Sequence, residues 1–145
     1  MTRIDFYVDV DDRLAFACRL VAKALQQSVK VLVYAPAAET AERIDRMLWL
    51  APPTAFLPHC MSHDPLAPET PVLIARTAQD LPHDHLLLNL HDEWPAPFAQ
   101  FQRLAEIVSC ADADRAAARS RYKFYRDRGY QIQTHRIGNG AIGNG

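Results

Sequence analysis

The densest concentration of chemically capable side chains runs from Arg115 to Tyr130, RAAARSRYKFYRDRGY. Arg115, Arg119, Arg121, Lys123, Arg126 and Arg128 lie here beside Tyr122, Phe124 and Tyr125, and only Asp127 opposes them. Read as a helix, side chains three and four positions apart share a face. Arg115, Arg119, Tyr122 and Arg126 then form one stripe, and Arg121, Tyr125 and Arg128 a second. Guanidinium groups around a phenol suit an anionic partner that also carries an apolar group, either nucleic acid or an acidic peptide. The same spacing also fits a solvated amphipathic helix whose aromatics enter the core, and spacing alone leaves both readings open. Asp112 or Asp114 is the predicted N-cap, and Gly129 suits the left-handed residue that ends a helix.

Other constellations carry less. Asp9 and Asp11 follow a predicted strand, as do the paired aspartates of haloacid-dehalogenase-like phosphatases, where one attacks phosphorus and the other acts as acid and base beside magnesium. Acids at a strand end also cap the next helix, and the glycine-rich turn expected downstream is missing. His59, Cys60 and His63, with His83 and His85, are residue types that bind zinc, but a fourth ligand for the first three would have to come from elsewhere in the fold, and they sit in a polar, Pro-rich loop. Ser28, Ser62, Ser109 and Ser120 lack the context of a nucleophile elbow. All five glycines lie at Gly129 or later, so no βα turn before them can bring backbone amides close to a phosphate. That argues against a P-loop or dinucleotide fingerprint. No catalytic residue, metal or cofactor is predicted.

With 145 residues, 49% hydrophobic and 23% charged, the chain has the size and composition of one globular domain. The formal net charge is −1, so anion binding has to arise from local asymmetry, and six of the sixteen basic residues lie in the stretch above. Three cysteines, Cys18, Cys60 and Cys110, are odd in number and far apart, which fits reduced thiols. The opening residues lack an apolar signal-peptide region, and no run is long enough to span a bilayer. A soluble, cytoplasmic protein is expected.

The elements that would position these side chains alternate. Ile4 to Val10 reads as a strand, followed by a helix capped by Asp11 or Asp12 and running to about Gln27 on an apolar stripe of Leu14, Cys18, Val21 and Leu25. Lys30 to Ala35, Pro71 to Ala75 and Leu86 to Leu90 read as buried strands. A second helix is expected from Ala38 to Leu50, with Ile44, Met47, Leu48 and Ala51 inward and Trp49 off that stripe. Phe98 to Leu104 is expected as a helix, Ala105 to Ser109 as a strand, and Gln131 to His135 as a final strand. This order predicts a three-layer α/β fold with a wound, mainly parallel sheet. One domain over 1–137 and a flexible Gly/Asn tail over 138–145 are expected.

RIDFYV, KVLVYA, Leu48-Trp49 followed by Phe56-Leu57-Pro58-His59, and above all ARSRYKFYRDRGY resemble the chi subunit family of bacterial DNA polymerase III. The likeness runs from Arg3 to Ile137, except for Cys60 to Thr70 and Thr77 to His85. It implies a nucleotide-binding-like fold without a nucleotide site, and a non-enzymatic subunit linking the clamp loader to single-stranded-DNA-binding protein. By that resemblance, Val108, Arg115, Arg119, Tyr122 and Gly129 bind the acidic C-terminal tail of the latter, which ends in a Pro-Phe carboxylate. Arg115 stands where the family commonly has a lysine. Trp49, Phe56 and Pro58 would bind the psi subunit, or a helicase-like protein in its place, and DNA would be contacted only indirectly. The alternatives that the residues themselves leave are a single-stranded nucleic-acid binder using 115–128 and a magnesium-dependent phosphohydrolase using Asp9 and Asp11.

Overall fold

The computed structural model describes residues 1–50, 57–79 and 81–138. Ala51, Phe56 and the tail from residue 139 lie outside the described residues. In chain order the elements are β1 (Arg3–Val10), α1 (Arg13–Gln26), β2 (Val31–Tyr34), α2 (Ala38–Trp49), β3 (His59–Met61), β4 (Val72–Ala75), β5 (Leu86–Asn89), β6 (Arg103–Ser109), α3 (Asp112–Asp127) and β7 (Ile132–Arg136). The strands form one sheet in the order β3-β4-β2-β5-β6-β1-β7, with every pairing parallel.

Strand alternation divides the core in two. On one face Tyr7, Val33, Ile74, Leu88 and Ile107 meet Leu14, Ala17 and Val21 of α1 and Ile44 and Leu48 of α2. On the other, Ile4, Phe6, Leu73, Leu87, Leu104 and Val108 meet Ala118 and Tyr125 of α3. The helices therefore flank the sheet on both sides, the three-layer α/β arrangement expected from the alternating pattern. Because β1 lies between β6 and β7, the crossover β6–α3–β7 carries α3 across β1.

Several local expectations need correction. Residues 98–104 do not form an α-helix. A single 3-10 turn, Phe98–Gln100, gives way to β6, which begins at Arg103. From there the period is two: Leu104 and Val108 face α3 while Ala105 and Ile107 face α1, and the register Arg3↔Arg103 zips this stretch to β1. His59–Met61, expected as loop, adds an edge strand on β4. Asp12 does cap α1, accepting from Ala15 N at 3.1 Å. Neither Asp112 nor Asp114 caps α3: Ala111 holds that position, and Asp114 Oδ2 instead accepts from Ser109 N at 2.7 Å.

The C-terminus of α3 ends as expected at Gly129, whose φ is +82°. Gly129 N donates to Arg126 O and Tyr130 N reaches back to Tyr125 O. This pair of reversed bonds satisfies the last carbonyls and needs a left-handed residue between them.

The second predicted stripe is not a surface feature. Arg121 and Tyr125 are buried and converge on Glu106, itself fully buried in β6. Arg121 Nε donates to Glu106 Oε1 at 2.9 Å, Tyr125 Oη to Oε2 at 2.6 Å, and Asn89 Nδ2 to both oxygens. Arg121 Nη1 also donates to Asp92 O at 2.7 Å. Burial pushes the Glu106 carboxyl above its usual range, while the Arg121 charge and the hydrogen bonds from Tyr125 and Asn89 pull it back. Arg128 leaves the stripe as well, lying 3.6 Å from the centre of the Phe124 ring, which stacks on Trp94.

Arg121→Met should cost about 3–5 kcal/mol in urea unfolding at pH 7, because it strands a buried charge. Without the cation, the folded-state pKa of Glu106 rises further above its unfolded value near 4.3. Such a group contributes fully below the unfolded pKa and loses its contribution as pH rises through the folded one. The deficit against the parent protein should therefore shrink between pH 7 and pH 5. A deficit of constant size over that range would refute this account.

Candidate functional site

Where α3 crosses β1, the helix and the carboxyl ends of β1, β6 and β7 enclose a groove of about 460 Å³. Register explains which strand residues reach it. Phe6 lies opposite Thr134, and Val8 opposite Arg136. With Val108 of β6, these side chains project toward α3. From the helix come Arg115, Ala118, Arg119 and Tyr122, one stripe at helical spacing.

Val108, Arg115, Arg119 and Tyr122, all singled out in the sequence, thus line one cavity. Gly129 does not line it. It closes the helix that carries the stripe, and no atom lies within 4 Å of where its side chain would begin. Tyr122 is 37% exposed and sets its ring edgewise on Phe6, with centroids 5.4 Å apart. Phe6, Val108 and Ala118 are buried and make an apolar floor beside it.

The charges are partly compensated. Arg115 Nη2 pairs with Asp9 Oδ1 at 3.2 Å, and Arg136 Nη1 pairs with the other oxygen of the same carboxylate. Arg119 makes no ion pair among the described residues. Three guanidiniums against one carboxylate leave two positive charges at the groove. Sequence reasoning overlooked Asp9 as part of this surface, and with it Phe6, Thr134 and Arg136. Period-two alternation in β1 and β7 was the available signal, but using it requires knowing that these strands are neighbours.

The other candidates disperse. Asp9 is held by two arginines, and Asp11 is exposed ahead of the cap of α1. His59 Nδ1 lies 2.7 Å from Leu57 O, His83 Nε2 lies 2.7 Å from Thr70 O, and His85 Nδ1 accepts from Lys30 N. No cluster of three His, Cys, Asp or Glu side chains suited to a metal occurs among the described residues. Nor is any helix there long and apolar enough to cross a membrane.

A second exposed feature lies at the opposite edge of the sheet. Trp49, the last residue of α2, is 62% exposed, and its ring centroid lies 4.6 Å from that of buried His59 on β3. Pro58 beside it is half-buried. The third residue expected there, Phe56, lies outside the described residues.

Residues 1–133 match the model of the family described as DNA polymerase III chi subunit, HolC. The chain is 38% identical over 141 residues to a Pseudomonas aeruginosa protein named DNA polymerase III subunit chi, covering 94% of this chain and 98% of that one. It is 32% identical over 123 residues to the Haemophilus influenzae protein of the same name, covering 84% and 85%. An Escherichia coli protein so named is 26% identical over 118 residues, covering 81% and 80%. With its parallel sheet, flanking helices and near end-to-end match, the chain belongs to the DNA polymerase III chi subunit family.

Proposed function

We propose that this chain is a non-catalytic, cytoplasmic adaptor of the replicative polymerase that grips the acidic C-terminal tail of single-stranded-DNA-binding protein. The observation that carries this reading is the juxtaposition of two uncompensated positive charges with a ring-sized apolar floor in one groove. A guanidinium clamps the terminal carboxylate, and the last phenyl ring of the tail enters between Val108 and Tyr122. A charge-assisted hydrogen bond contributes about 1.5–3 kcal/mol. Burying the phenyl group adds about 2 kcal/mol by area. After association costs, a Kd of micromolar order that weakens with salt is expected.

Tail peptide titrated at moderate salt tests this. Arg119→Ala should lower affinity about tenfold or more, since a lost charged contact is worth upward of about 1.5 kcal/mol. Deleting the terminal phenylalanine should do the same. Single-stranded DNA is the competing ligand. If Arg119→Ala abolishes DNA binding while peptide affinity stays intact, the groove is a nucleic-acid site and the adaptor reading fails.

The second half of the adaptor is the exposed end of α2. Trp49, with Pro58 and Phe56, takes the psi subunit, or a helicase-like protein in its place. Exposed tryptophans are the residue type that most often dominates binding energy. Trp49→Ala should weaken psi capture by about thirtyfold, equivalent to a hot-spot loss near 2 kcal/mol. Tail affinity should be unchanged, because β3 and β7 are opposite edges of the sheet. Co-purification of the variant with psi at parental yield would count against this surface.

A further inference from the structure

Asp9 lies where strand geometry alone would not put it. Along β1 the odd residues Asp5 and Tyr7 face the α1 side, with His135, while Ile4, Phe6 and Val8 face α3. Regular alternation would send Asp9 to the α1 side. Instead the pairing with β6 slips by one residue between Tyr7 and Val10: Tyr7 lies opposite Ile107, but Val10 lies opposite Ser109. Asp9 takes a left-handed φ of 59°, and Val10 joins the α1 core although its number is even. A bulge of this kind re-aims a side chain. Here it turns the Asp9 carboxylate into the groove, with one oxygen on Arg115 of α3 and the other on Arg136 of β7. Two oxygens spread over two guanidiniums are also what an incoming carboxylate would need.

We propose that Asp9 is a built-in competitor that holds the carboxylate subsite of the groove and must be displaced before a chain end can pair with Arg115 and Arg136. This rests on the tail-binding reading above. Arg119, which makes no ion pair among the described residues, is free to make the first contact, after which the ligand carboxylate exchanges with that of Asp9. A ligand carboxylate needs this subsite and a neutral chain end does not, so Asp9 lowers affinity for carboxylate chain ends more than for neutral ones. The opposite view is that Asp9 braces the arginines in their binding positions.

The two views differ in sign for Asp9→Asn. Asparagine keeps the shape and tolerates positive φ, and Asp9→Gly, at home at that φ, serves as a second variant. Thermal unfolding would verify the fold of each. Fluorescence anisotropy would be measured with the tail peptide as free acid and as C-terminal amide, and NMR titration with 3-phenylpropanoate would supply a small probe bearing the same ring and carboxylate. Both variants should bind the free acid about three- to tenfold more tightly than the parent, with a smaller gain for the amide. Free-acid affinity that is unchanged or reduced, while the parent still binds, overturns the role of Asp9 alone. If parent and variants all ignore peptide and probe, both this inference and the tail-binding reading fall. Binding by the variants where the parent shows none would support the competitor.

Discussion

The buried carboxylate of Glu106 holds α3 in place over the sheet. Charge is costly to bury, and this one is tolerated because three donor groups, on Arg121, Tyr125 and Asn89, meet its two oxygens. Asn89 comes from β5, Glu106 from β6, and the other two from one face of α3. The network therefore fixes the rotation of the helix about its axis as well as its position. Slippage of α3 by one residue would turn Arg121 and Tyr125 away and leave the carboxylate unpaired. That same rotation determines that Arg115, Ala118, Arg119 and Tyr122 face β1 and β7. Precision at the groove is thus inherited from a polar contact in the core, whose helix residue Arg121 directly precedes the groove residue Tyr122.

Topology supplies the opening. β1 is followed by α1 on one face of the sheet, and β6 by α3 on the other. Crevices form at such divergences, outside the carboxyl ends of parallel strands. In relatives of this architecture that bind nucleotides, glycine-rich turns would line that end, but no glycine precedes Gly129 here. Its place is taken by side-chain chemistry: Asp9 at a bulge, Arg136 at the end of β7, and the stripe of α3. An α/β scaffold thereby offers a guanidinium-lined groove at the position where the fold favours a ligand.

Much of this was legible in the sequence because it depends on local pattern. The apolar runs VLVY, VLIA and LLLN announce buried parallel strands, and the alternation of strands with helical stripes announces the layers. Gly129 marks a helix end because no other residue adopts its φ so easily. What failed depended on partners distant in the chain. Arg121 and Arg119 are the same residue type two positions apart, and only Glu106, fifteen residues upstream, makes one a core residue. Phe98, Phe101 and Leu104 are three apart, a spacing that a helix and an irregular turn can both carry, and the pairing with β1 imposes an extended path on the last of them. Asp9 invited a catalytic reading until the bulge and the two arginines were visible. Those are properties of register, which a linear reading does not contain.

The distribution of charge explains how a chain of net charge −1 can present a cationic site. Exposed side chains on the remaining surface are mixed in sign, and a molecule of this size exerts little long-range pull at physiological salt, where screening acts within about 8 Å. Selectivity must therefore arise at contact. Within the groove, Arg115 and Arg136 are tied to Asp9, whereas Arg119 makes no ion pair among the described residues. The apolar floor of Phe6, Val108 and Ala118 adds a demand that a bare phosphate backbone does not meet, since it offers charge without a ring to bury. On the proposed reading, a chain end carrying both a carboxylate and an aromatic side chain meets the two demands together, where charge alone would meet one.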